Sequence, residues 1–111
     1  MTISGAQETI TRAVTAWEGV TAQPHRFGGV EYVIGRREIG HIHGDHAAHY
    51  TFPKAVWHEL YAAGRIVHHP VFPGRVGPAA RRIEDEQDIV DAIALLRLNY
   101  ERIVERHGVA A

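Results

Sequence analysis

Between Asp85 and Gly108 apolar residues return every three or four positions, and this stripe constrains the fold more than any other feature of the chain. Ile89, Ile93, Leu96, Tyr100 and Ile103 repeat at 4-3-4-3 spacing, with Leu95, Leu98 and Val104 widening the stripe. That is the pattern of a helix with one buried face. Asp85 suits the N-cap, with Asp88 at the third helical position. The acidic first turn, and Arg102, Arg106 and His107 near the end, complement the helix dipole. A one-sided helix of this length needs a surface to cover, and the rest of the chain supplies strands.

Val30, Tyr32 and Ile34 alternate on one side of an extended segment, Gly35-Arg36 forms a turn, and Arg37 to His43 returns as the second arm of a hairpin. Ala48 to Phe52 adds a short third strand. Ile66 to Pro70 and Arg75 to Ile83 form a later strand pair around Phe72-Pro73-Gly74, with Pro78 marking an edge or bulged strand. Val20 to Arg26, which contains Pro24, reads as a connector or an edge strand. Two further helices are expected. The first opens on a capping box from Ser4 to Gln7 and carries Ile10, Val14 and Trp17 on one face, with Gly19 as its stop. The second runs from Pro53 to Gly64 with Val56, Trp57, Leu60 and Tyr61 together. The expected fold is α+β: an antiparallel sheet of four to five strands, three helices mainly on one side, in the order helix, hairpin, helix, strand pair, helix.

Composition narrows the function. At 111 residues the chain fits one domain, residues 1–111. With no cysteine, disulfides, thiol catalysis and Cys-based zinc sites are excluded. A formal charge of −1 gives no reason to expect nucleic acid or an anionic membrane as partner. No apolar run is long enough to span a bilayer, and the first eight residues lack signal-peptide character. A cytoplasmic location is the expectation. No phosphate loop, dinucleotide fingerprint or nucleophile elbow is present.

Nine histidines are the chemical theme, and four of them, His41, His43, His46 and His49, fall within nine residues around Asp45. On a strand His41 and His43 share a face, which makes them suitable first ligands for zinc, iron, nickel or copper, with Asp45, His46 or His49 closing the site if the loop folds back. His68 and His69 face opposite sides, so only one can join the cluster. His46, His49, His58 and His107 are expected at the surface. The competing reading is structural, with neighbouring imidazoles satisfying one another and the backbone. Acid–base chemistry is a third use, with His43 near Asp45 or His41 near Glu38, although neighbours on a strand often point apart. A His-x-His pair also occurs in cupins, but the following glutamate and the second motif are missing. Arg36, Arg37, Arg81 and Arg82 would form an anion site if they met in space; pairing of Arg81 or Arg82 with the acidic run Glu84 to Asp88 is favoured over it.

Several stretches together resemble the bacterial luciferase-domain family. They are Pro24-His25-Arg26-Phe27-Gly28-Gly29, then Gly35-Arg36-Arg37-Glu38-Ile39-Gly40-His41-Ile42-His43-Gly44 and Phe52-Pro53. Ala62-Ala63-Gly64-Arg65, His68-His69 and Ala94-Leu95-Leu96-Arg97-Leu98-Asn99-Tyr100 continue the match. The resemblance implies a small-ligand or metal-binding domain with Arg36, Arg37, His68 and His69 as ligand-binding positions beside His41 and His43. An oxygen- or metal-linked oxidation is implied only by the family's name. The chain departs from the family pattern at His49-Tyr50-Thr51-Phe52, where members usually read Asp-Leu-Pro-Phe, and at Val76-Gly77-Pro78, where many read Ser-Gly-Trp; a site built on those positions would be altered here. A small-molecule ligand, a transition metal and a homo-oligomer are all compatible with the chain. The alternative is a non-catalytic interaction module using the apolar Val71-Phe72-Pro73 segment.

Overall fold

A twisted antiparallel sheet separates two helices from an open, histidine-lined face. The computed structural model describes residues 3–26 and 28–109; Phe27, within the Pro24–Gly29 stretch, lies outside the described residues. The elements are α1 (Ala6–Thr15), β1 (Val20–Pro24), β2 (Val30–Ile34), β3 (Arg37–His43), β4 (Ala47–Thr51), α2 (Lys54–Ala62), β5 (Val67–His68), β6 (Pro78–Arg82) and α3 (Glu86–His107). The strand order is β1-β2-β3-β4-β6-β5, and every neighbouring pair is antiparallel.

The six strands exceed the four to five expected because Val20–Pro24 pairs fully with β2, from Val20↔Ile34 to Pro24↔Val30. Its proline sits at the sheet edge, where a missing N–H leaves no ladder bond unmade. Pro78 was expected to mark an edge or a bulge. It is instead the first residue of β6, an interior strand between β4 and β5. The first position of a strand tolerates proline, and its carbonyl still accepts a bond from Trp57 Nε1 at 2.9 Å.

The core lies between the sheet and the pair α1 and α3. Ile10 and Val14 of α1 and Leu95 and Leu96 of α3 pack on Tyr32, Ile34, Ile39, Ile42 and Tyr50 from the strands. Trp57 and Leu60 of α2 bury the same side of that short helix as its spacing predicts. Asp85 caps α3 by accepting from Asp88 N at 2.8 Å, as expected. The Ser4–Gln7 capping box does not form: α1 begins after Gly5 without a cap from its own flanking side chain.

One irregularity in the sheet sets up the site. Ile34 pairs with Arg37 and Val33 with Glu38, but Tyr32 pairs with Gly40, so Ile39 is an extra residue in β3. Ile39 and Gly40 both point to the core, and Glu38 and His41 consequently share the open face. The bulge is held from below. Asn99, buried on α3, donates through Nδ2 to Ile39 O at 3.2 Å and to Thr51 O at 3.1 Å. Its Oδ1 accepts from Arg102 at 2.8 Å. Gly40 lets α3 approach, since a Cβ there would stand 2.6 Å from Leu96 Cδ2 and 3.0 Å from the His49 carbonyl oxygen. Gly40→Ala is therefore expected to destabilise the protein by about 1–3 kcal/mol, measurable as a lower urea midpoint.

Candidate metal centre

The open face of the sheet gathers imidazoles from two strands and two loops. His41 and His49 are cross-strand partners in β3 and β4, and His43 follows His41 by one strand period. The ring centroids of His41–His43, His41–His49 and His43–His49 lie 4.9, 5.1 and 4.6 Å apart. One ligand atom from each of these three histidines falls within 4.8 Å of the others. His25, just after β1, stacks on His41 at 3.9 Å, and His69, just after β5, lies 4.1 Å from His49. A cleft of about 770 Å³ opens over this floor, walled by Val71, Phe72 and Pro78 with Arg26 also lining it. A second hollow of about 600 Å³ lies between α1 and β1. Its charged residues, Glu8 and Arg12, already pair at 2.7 Å, so the chemistry belongs to the larger cleft.

Behind His41 stands Glu38, whose Oε2 accepts from His41 Nδ1 at 2.7 Å. Burial alone would raise the Glu38 carboxyl; the hydrogen bond from His41, with the charges of His41, His25 and Arg26, outweighs it and holds the group below its ordinary value. With Nδ1 tied to a carboxylate, Nε2 is the nitrogen of His41 left to coordinate. His49 is only 8% exposed. Its burial first, then the nearby imidazoles of His69, His43, His41 and His25, push it down to about 3. His43 and His69 are lowered in the same sense, again by burial first. These side chains are thus held neutral at physiological pH, the form that binds metal. His49 Nδ1 is moreover buried with no hydrogen-bond partner among the described residues, an unsatisfied polar atom of the kind that calls for an explanation.

The geometry revises several sequence expectations. His49, one of three candidates to close the site but favoured for the surface, is the most buried of the three central histidines. Its face is set by long-range pairing, which local spacing does not encode. Glu38 and His41, offered as an acid–base pair although strand neighbours often point apart, do meet, because of the bulge. His25 was not anticipated at all as a site residue. The expectation for His68 and His69 holds in form: His69 faces the cleft, while His68 packs 5.1 Å from both Trp57 and Tyr61. Asp45, expected as a third metal ligand, caps α1 instead. Its Oδ1 accepts from Gln7 N at 2.8 Å and its Oδ2 from Gly5 N at 3.2 Å, the favourable place for a carboxylate at a helix N-terminus. Those bonds, from Gln7 and then Gly5, hold its carboxyl below the usual range. Asp45→Ala should lower the melting temperature while leaving metal uptake unchanged.

The four arginines do not converge. Arg81 points to the helical side and binds Asp88 at 2.6 Å and Asp91 at 2.9 Å. Arg37 lies 3.2 Å from His107 Nδ1 at the end of α3, and Arg36 is exposed at the hairpin turn. Neither lines the histidine cleft.

A family model described as Luciferase domain matches residues 36–99. The chain belongs to the luciferase-domain family. Comparisons with curated proteins and with solved structures gave no significant match. The luciferase-domain match contains Glu38, His41, His43, His49 and His69, whereas His25 precedes it. No helix among the described residues of this luciferase-domain chain is long and apolar enough to cross a membrane.

Proposed function

We propose that this luciferase-domain protein binds a divalent transition metal through His41, His43 and His49 and presents it to a small organic ligand in the cleft. The observation that carries the reading is the convergence of three imidazoles on one sheet face with a carboxylate behind one of them. Three histidines are a catalytic rather than a closed structural set, because they leave a coordination position for water or ligand. The Glu38–His41 pair matches the carboxylate–histidine–metal arrangement that orients a ligand ring and raises its basicity. Val71, Phe72 and Pro78 give the cleft an apolar wall, and Arg26 adds a cation to its lining, a combination suited to a partly apolar, anionic small molecule. If the domain is an enzyme, the metal would act as a Lewis acid or as a partner in oxygen-linked oxidation, the latter suggested by the family's description alone.

Cobalt(II) titration followed by visible absorption tests this reading. The expected result is a saturable ligand-field spectrum that His43→Ala abolishes. Glu38→Gln should weaken uptake about 10–100-fold, the usual effect of removing an outer-shell partner. A folded protein that gives no cobalt spectrum contradicts the reading.

A further inference from the structure

The histidine floor continues past His41 into a second group with different chemistry. His25, Glu38 and His41 also offer ligand atoms within 4.8 Å of one another. His25 Nε2 lies 4.0 Å from Glu38 Oε1 and 3.9 Å from Glu31 Oε1. Glu31 is the cross-strand partner of His41 and is held by Gln23 Nε2 at 2.7 Å. The His25, His41 and Glu31 side chains are 10%, 14% and 17% exposed. Two carboxylates therefore flank two imidazoles, with the Glu38 side chain 38% exposed, whereas the three-histidine group carries no carboxylate ligand. Excess negative charge beside ring nitrogens favours a cation.

Both groups share His41, whose Nδ1 faces Glu38 at 2.7 Å and leaves Nε2 for the three-histidine group. We infer that the site is dinuclear, with His41 bridging two divalent transition ions through its two ring nitrogens. This rests on the three-histidine reading above. The second ion replaces the proton that His41 Nδ1 shares with Glu38. The N–H bond breaks, a bond from Nδ1 to the ion forms, and the proton leaves to solvent; no electrons are transferred. Glu38 then turns from hydrogen-bond acceptor to ligand beside His25.

Copper(II) titration of the full chain at pH 8, with proton release followed in weakly buffered solution, tests the inference. The expected result is two equivalents bound, about one proton released with the second, and loss of copper paramagnetic resonance intensity as the two ions couple through the ring. His25→Ala should keep the first equivalent, lose the second, and show normal isolated-copper intensity with native circular dichroism. Binding of a single equivalent to wild type overturns the inference and leaves the three-histidine reading intact. Two equivalents without coupling and without the proton also overturn it, since the ions would then be unbridged. No binding at all removes both.

Discussion

Replacing Asn99 with leucine is expected to destabilise the protein by about 2–5 kcal/mol, because it strips two carbonyls of their donor at once. The side chain is nearly isosteric, so the effect isolates the amide. Ile39 O and Thr51 O lose the Nδ2 group 3.2 and 3.1 Å away, and Arg102 loses its acceptor. Each carbonyl left unpaired costs about 1–3 kcal/mol. The effect should extend to the site. Ile39 is the extra residue of the β3 bulge, and the bulge is what brings Glu38 and His41 to the same face. Urea unfolding of Asn99→Leu should show a much lower midpoint, and the folded variant should bind metal more weakly. Unchanged stability with unchanged metal affinity would show that the bulge stands without its tether.

The second large effect concerns acid. His49 titrates near 3 in the folded chain against about 6.5 unfolded. Between those values the unfolded chain binds the proton and the folded one does not. Stability is therefore full above about pH 6.5 and falls as pH drops toward 3, with a slope approaching ~1.4 kcal/mol per pH unit for one imidazole. His43 and His69 are lowered in the same direction and steepen the slope. The depressed carboxyls of Asp88 and Glu38 act in a lower window, starting only as pH falls through the ordinary carboxylate range, so pH 6.5 to 5 reports the imidazoles. Denaturant midpoints across that interval should fall steadily for metal-free wild type and less for His49→Gln. Equal slopes in the two proteins would contradict the buried, neutral state of His49.

Features with a local physical cause were legible in the sequence. Asp85 and Asp88 mark the start of α3 because a cap and its target are three residues apart. His41 and His43 fall on one face because strand side chains repeat every two residues, and the same alternation separates His69 from His68. Nonlocal causes were invisible. Asp45 caps a helix some 40 residues earlier in the chain, and nothing near it in sequence announces that partner. His49 reaches the cluster through its pairing with His41, and His25 through a loop after the edge strand β1. A bulge breaks the two-residue period, so strand alternation argues against the Glu38–His41 pairing that the structure shows. Asn99 interrupts an apolar stripe, and only its two carbonyl partners explain a buried amide there.

The central claim is most directly tested by elemental analysis of protein purified without an affinity tag, before and after exposure to zinc, iron, nickel and copper. The account predicts a transition metal retained by the wild type after dialysis and lost from a folded His41→Ala, His43→Ala, His49→Ala variant. A folded wild type that retains none of the four metals would contradict it.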